Sequence, residues 1–109
     1  MAKPKDRIYV EHILEAIALI EGFVAGKTLD DFQRDPMLNS AVIRQLEIIG
    51  EAAKRLSEDF KSERTHLPWR RITGMRDFLI HDYLEIDLEI VWRTATEDIE
   101  ELKLALQAI

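Results

Sequence analysis

The chain has 109 residues, of which 47% are hydrophobic and 33% charged, with no cysteine and a formal net charge of −6. This length provides one domain with a single modest core, and the apolar content is too high for a disordered chain. Without cysteine, neither disulfides nor thiolate metal sites can form. Neither an apolar signal region nor an apolar run approaching the roughly 18 residues of a transmembrane helix is present, so we expect a cytoplasmic protein.

The first third of the chain predicts one long helix and one short one. Apolar residues recur at three- and four-residue steps through residues 6–24, and Gly26 marks the end of this helix. Residues 28–32 read as a short capped element, with Thr28 as the N-cap and Asp31 at the third helical position.

A second long helix is predicted to begin at Asp35-Pro36, because aspartate caps free backbone donors and proline suits the first helical position. Its predicted core face comprises Leu38, Val42, Leu46, Ile49, Ala53 and Leu56. Gly50 lies in mid-helix, where glycine costs about 1 kcal/mol relative to alanine. We interpret it as a point of close approach by another helix, with Gly74 as the candidate contact.

The connection after this helix, residues 57–67, is polar and charged, which predicts a helix end and a loop. Glu63 and His66 have the Glu-x-x-His spacing of di-metal bundles, but the motif occurs once, so we predict no metal site. Residues 54–76 contain seven basic and three acidic residues, a local charge of +4 against −10 for the remainder. Either this is a solvated connection or it is a basic patch suited to a phosphate backbone.

A third long helix is predicted from Trp69, after Pro68, to about Tyr83, and a last helix after Asp87 as its N-cap. The apolar positions of the last helix are Val91, Ala95, Ile99, Leu102, Leu106 and Ile109. No stretch alternates as a strand. Residues 1–109 therefore predict a single all-α domain, an antiparallel bundle of four long helices plus a short one.

Residues 75–83 contain more polar side chains than a packed core requires. Arg76, His81 and Tyr83 form the pattern Arg-x4-His-x-Tyr. At 100° per residue, Asp77 shares a face with His81 and is predicted to accept a hydrogen bond from its ring. Arg76 and His81 are about 140° apart on a regular helix. Either the helix bends near His81, or two copies of the chain meet and share a cleft.

These side chains suffice for RNA cleavage without a metal. Histidine can remove the proton of a ribose 2′-OH, and arginine can hold the phosphate and stabilise its developing charge. Tyr83 would stack on a base, position a phosphate or carry a modification. The alternative from spacing alone is structural, with a surface ion pair of Arg76 and Asp77 and with His81 capping a helix end.

Residues 68–83 (PWRRITGMRDFLIHDY), together with Ile-Ile-Gly-Glu-Ala at 48–52, resemble the HepT-like branch of the HEPN superfamily over nearly the whole chain. The resemblance implies a homodimeric helical bundle that acts as a metal-independent ribonuclease toxin without a cofactor. Its antitoxin would be a minimal nucleotidyltransferase. Arg76 and His81 would be catalytic, Asp77 would be the polar residue that follows the motif arginine, and Tyr83 would be the residue that the antitoxin adenylylates. Many relatives carry an aromatic residue and a glycine where this chain has Leu84-Glu85.

Three further residues are assigned supporting roles. Arg70 and Arg71 are predicted to contact RNA, and Glu51 either pairs with Arg76 or this arginine cluster or is a plain exposed glutamate. Two other functions remain open. One is a non-catalytic module that binds a nucleotide or docks a nucleotidyltransferase, and the other is a helical interaction protein whose motif is structural.

Overall fold

A computed structural model describes residues 4–75, 77 and 86–108 of the chain. Every regular element in these ranges is helical, which confirms the all-α prediction. The elements are α1 (Pro4–Val24), α2 (Leu29–Arg34), α3 (Pro36–Lys54), α4 (Glu58–Ser62), α5 (Trp69–Thr73), α6 (Leu88–Arg93), a π-helical turn (Thr94–Asp98) and α7 (Ile99–Gln107). Within the described ranges, no helix has both the length and the apolar character to cross a membrane.

The core lies between α1, α3 and the C-terminal helices. α1 packs along α3, which also contacts α5, while α7 lies against α1. The largest fully buried side chains are Ile13, Ile17, Ile20, Phe32, Val42, Leu46, Ile49, Val91 and Leu106. The predicted core residues of α3 are buried except Leu38, which is half-buried. Leu56, two residues beyond the end of α3, is buried as predicted. Outside the core, Lys103 Nζ donates to Glu21 Oε2 at 2.8 Å and joins α7 to α1.

The predicted starts of α2, α3 and α6 and the predicted end of α1 are confirmed. Thr28 Oγ1 accepts from the Asp31 N–H at 3.1 Å, and the Asp31 carboxylate accepts from the Thr28 N–H at 3.0 Å, forming a reciprocal capping box. Asp35 and Asp87 each accept from the backbone N–H groups two and three residues later. Gly26 has φ of +72°, the left-handed conformation that ends many helices.

The prediction of a loop at residues 57–67 was wrong, because this connection contains α4 and packs into the core. Ser57 caps α4, and Phe60 and Leu67 are each only 3% exposed. Asp6 on α1 is 2% exposed, and its carboxylate accepts from the Ser57 N–H at 2.8 Å and from Ser57 Oγ at 2.7 Å. Apolar spacing did not reveal α4 because a helix of five residues shows too few turns for a periodic pattern.

The helix that begins at Trp69 is interrupted at Gly74, whereas the sequence predicts a continuous helix. α5 ends at Thr73, and Gly74 follows in a turn before Met75 and Asp77 resume helical backbone. Thr73 Oγ1 donates to the carbonyl of Trp69 at 2.9 Å, a side-chain bond of the kind that often bends helices. The remainder of the predicted helix, up to residue 83, lies outside the described residues.

The last helix is also interrupted, by the π-helical turn between α6 and α7. The Ile99 N–H donates to the carbonyl of Thr94, and Thr94 Oγ1 donates to that of Ile90 at 2.9 Å. Val91, Ala95 and Ile99 are spaced by four, so each step would overshoot by about 40° on a regular helix. The wider π turn accommodates this spacing and keeps all three side chains buried. The predicted core residue Ile109 lies outside the described part of the chain.

Candidate functional site

Arg76, His81 and Tyr83, the three residues of the motif, lie outside the described residues, as do Leu84 and Glu85. The predicted hydrogen bond from His81 to Asp77, and the choice between a bent helix and a shared cleft, therefore stay predictions. Asp77 is described, and its side chain is exposed on helical backbone. Of the candidate site, the structure describes Asp77, the segment that leads to the motif and the elements that hold this segment.

Gly50 on α3 brings this helix directly against α5. A Cβ atom at Gly50 would lie 3.3 Å from the carbonyl oxygen of Ile72 and 3.5 Å from the Cβ of Met75. The predicted close approach at Gly50 is thus confirmed, but the prediction of Gly74 as its contact was wrong, because the nearest atoms belong to Ile72, Thr73 and Met75. A Cβ at Gly74 would instead meet the Arg70 carbonyl of its own helix at 3.1 Å. Since Met75 directly precedes the motif arginine, α3 supports the backbone from which the motif begins.

The beginning of α5 is held from the other side by an aromatic cluster. Trp69 Nε1 donates to the carbonyl of Arg64 at 3.0 Å, and the rings of Phe60 and Trp69 meet edge to face with centroids 6.3 Å apart. The Arg64 guanidinium lies 3.8 Å above the Phe60 ring and donates to the Phe60 carbonyl at 3.0 Å. Arg64 therefore stabilises the connection, and it is half-buried in that role.

The basic stretch at residues 54–76 is partly neutralised by nearby carboxylates. The ion pairs are Lys54–Glu51 at 3.7 Å, Lys61–Glu58 at 3.4 Å, Arg64–Glu63 at 3.6 Å and Arg71–Asp98 at 3.1 Å. Exposed pairs of this kind contribute about 0–1 kcal/mol to stability, so their main effect here is on the local field. A contiguous basic patch is consequently weaker than the residue count suggests, and Arg70 and Arg71 are the described arginines on α5 that are exposed to solvent.

Glu51 forms its described ion pair within its own helix, with Lys54, and its side chain is 53% exposed. This environment resembles the predicted alternative of a plain surface glutamate. The other alternative includes Arg76, which lies outside the described residues, so a supporting role for Glu51 in the site stays a prediction.

Arg71 faces a pocket between α5 and the C-terminal helices. Its guanidinium donates to Asp98 Oδ2 at 3.1 Å, across 27 positions of sequence. Asp98 and Glu101 line the same pocket as Arg71. The sequence predicts no role for these two acids, because nothing in a linear pattern pairs residue 71 with residue 98. In the described ranges, no group of three or more histidine or acidic side chains is arranged to hold a metal ion.

Comparison with known proteins places the chain in a family. The family model described as "Ribonuclease HepT-like" matches residues 13–109. A protein of Thermococcus cleftensis with the name "Probable ribonuclease HepT" is 46% identical over 101 residues, which are 93% of this chain and 92% of that protein. A "Putative RNase" of Caldanaerobacter subterraneus subsp. tengcongensis is 42% identical over 103 residues, 94% of this chain and 92% of that protein.

A longer relative from Methanocaldococcus jannaschii bears the name "Gamma-glutamylcyclotransferase and putative RNase" and is 46% identical over 97 residues, or 89% of this chain. This chain spans 44% of that protein's length. No solved structure matches significantly. The helical architecture, the match over residues 13–109 and the two relatives covered almost end to end lead to one conclusion: the chain belongs to the HepT-like ribonuclease family.

Proposed function

We propose that the chain is a metal-independent endoribonuclease and the toxin of a toxin–antitoxin pair. The observation that carries the proposal is the match to the HepT-like ribonuclease model over a region that contains Arg76, His81 and Tyr83 as an unbroken Arg-x4-His-x-Tyr motif. In this reading Arg76 and His81 are the catalytic residues. Asp77 orients the His81 ring, and two copies of the chain form the active cleft.

The reaction is an internal transesterification. His81 removes the proton of a ribose 2′-OH, and the resulting oxygen attacks the adjacent phosphorus. The bond from phosphorus to the 5′-oxygen of the next nucleotide breaks, and this oxygen leaves as a hydroxyl by taking up a proton from water, while His81 returns its proton to the solvent. The products are a 2′,3′-cyclic phosphate and a 5′-OH end. Arg76 holds the nonbridging oxygens and stabilises the charge that develops on them.

Substrate contacts would extend from the catalytic residues along α5. Arg70 and Arg71 are exposed there, and an arginine fork matches the geometry of a phosphate. The acidic character of the whole chain opposes unspecific attraction of RNA. We therefore expect RNA to bind through this local arginine pair and not through a broad basic surface.

Regulation by the antitoxin would act on Tyr83. A minimal nucleotidyltransferase would transfer AMP from ATP to the tyrosine hydroxyl, with release of pyrophosphate. The added nucleotide places bulk and a negative phosphate two residues from His81, which would exclude RNA by sterics and by charge repulsion.

The test is cleavage of total RNA and of a tRNA pool in EDTA by the wild type, His81→Ala and Arg76→Ala, purified identically and checked for folding by circular dichroism. We expect each substitution to lower the cleavage rate by about 10²- to 10⁴-fold. Mass spectrometry of Tyr83, before and after incubation with the nucleotidyltransferase and ATP, tests the regulatory step.

Each result has a distinct meaning. Cleavage by wild type alone supports the proposed enzyme and both catalytic assignments. Equal cleavage by all three proteins indicates a contaminating nuclease and removes the catalytic roles. If unmodified wild-type protein does not cleave, the ribonuclease proposal fails, and the alternative module that binds a nucleotide or docks a nucleotidyltransferase becomes the preferred function.

A further inference from the structure

The pocket beside Arg71 has an apolar floor and a charged rim. The floor is formed by five side chains that are each at most 5% exposed, namely Leu67, Ile72, Met75, Ile99 and Leu102. The pocket has a volume of about 130 Å³. An engineered apolar cavity of about 150 Å³ accommodates benzene, so this pocket is of the size of a single six-membered ring.

The charges at the rim favour a neutral ligand with hydrogen-bond donors. Arg71 contributes one positive charge, while Asp98 and Glu101 contribute two negative charges. Asp98 already accepts from Arg71 at 3.1 Å, which directs the guanidinium along the rim. An amino group on a ring would find carboxylate acceptors at this rim.

The pocket is also close to the catalytic motif along the chain. Met75 lines its floor and directly precedes Arg76. Since consecutive Cα atoms are about 3.8 Å apart, a base in this pocket would belong to a nucleotide near the phosphate that Arg76 holds. The Met75 thioether is a favourable neighbour for an aromatic ring.

We propose that this pocket is a base-binding subsite that takes one pyrimidine of the RNA substrate and prefers cytosine to uracil. Glu101 accepts a hydrogen bond from the cytosine N4 amino group, which is the usual pairing of a carboxylate with this base. Uracil presents its O4 oxygen at the same position, and two acceptors repel each other. The nature of the substrate rests on the proposed ribonuclease function, whereas the choice of base rests on the pocket.

The first experiment measures cleavage of a set of short RNAs that differ only in carrying cytosine or uracil next to the scissile bond. We expect the wild type to prefer cytosine at one of the two flanking positions by about 10-fold. Glu101→Gln keeps the size of the side chain but has an amide that both donates and accepts, so the preference should fall below about 3-fold. The matched control is Glu100→Gln, an exposed neighbour that does not line the pocket and should keep the full preference.

A second experiment separates the subsite from catalysis. Oligonucleotides with 2′-deoxy sugars lack the attacking hydroxyl, and their binding to the same three proteins is measured by fluorescence anisotropy. If the wild type cleaves nothing but binds the cytosine form more tightly through Glu101, the ribonuclease proposal fails and the subsite stands. The subsite is overturned if the wild type cleaves and binds the cytosine and uracil forms equally, or if its preference for cytosine survives Glu101→Gln. The subsite is also overturned if Glu101→Gln changes the oligomeric state of the protein but leaves its base preference unchanged. The pocket would then be an interface between copies of the chain.

Discussion

The Cα of Gly50 faces the backbone carbonyl of Ile72 so closely that a Cβ atom on residue 50 would lie 3.3 Å from this oxygen. The contact joins the C-terminal third of α3 to α5, just before the motif. It explains why glycine is tolerated inside a 19-residue helix despite its conformational cost. The same contact makes the start of the motif sensitive to the size of one side chain on another helix.

Gly50→Val is expected to destabilise the fold, because its side chain must displace the Ile72 backbone and Met75. Overpacking of this kind costs about 1–3 kcal/mol, which urea denaturation would detect as a lower midpoint. Gly22→Ala is the matched control, since nothing lies within 4 Å of a Cβ at Gly22 in α1. It should gain up to about 1 kcal/mol from helix propensity alone. Equal effects of the two substitutions would show that the contact between α3 and α5 is not tight.

Asp6→Ala is expected to destabilise the protein by about 2–4 kcal/mol, because it removes two short hydrogen bonds and leaves the half-buried donors of Ser57 without their acceptor. Asp6 links the beginning of α1 to the cap of α4. We therefore expect the loss of stability to appear in the single unfolding transition of the whole domain. The measurement is the free energy of unfolding in urea. Glu11→Gln, an exposed change on the same helix, should stay within about 0.5 kcal/mol. A comparable loss in both variants would argue against a specific role for Asp6.

The capping box of α2 should make stability depend on pH. Hydrogen bonds from the Thr28 backbone and then from its side chain hold the pKa of the Asp31 carboxyl below its ordinary value of 3.8. A lowered pKa in the folded state contributes stability that is present above pH 3.8 and is lost as the pH falls through the folded-state pKa. Asp31→Asn should therefore be less stable than wild type at neutral pH and approach it in stability as the pH falls below 3.8.

Thermal melts of both proteins between neutral and strongly acidic pH test this dependence. Glu15→Gln on the exposed face of α1 controls for the removal of one negative charge. A gap between wild type and Asp31→Asn that persists unchanged in acid would contradict the electrostatic explanation and point to a purely steric cap.

Arg70→Ala is expected to weaken binding of a 2′-deoxy oligonucleotide and to reduce the salt dependence of the affinity. Each lost phosphate contact should lower the slope of log K against log[salt] by about 0.7 to 1. Arg34→Ala on α2, whose guanidinium pairs with Asp30 at 3.1 Å, is the matched removal of an exposed arginine. Titrations at several salt concentrations give the slopes. An unchanged slope for Arg70→Ala would exclude Arg70 from the RNA-binding surface.

The sequence by itself determined much of this protein's architecture. Helix caps are local interactions. Asp35, Asp87 and the pair of Thr28 and Asp31 each bond to backbone donors no more than three residues away, so these caps can be predicted from the sequence alone. The buried face of α3 followed from helical periodicity for a similar reason. The family was also recognisable from the motif and from the segment around Gly50, since both are contiguous stretches.

Only the tertiary structure decided those features that depend on contacts between residues distant in sequence. Helix α4 is too short to show a period, and its position depends on buried Phe60 and on Asp6, which lies 51 residues before Ser57. The pairing of Arg71 with Asp98 depends on where α5 lies relative to the C-terminal helices, and it weakens the basic patch that a residue count suggested. Local hydrogen bonds and periodicity act within a few residues, whereas the field and shape of a site depend on which helices meet, and only the packed fold sets that.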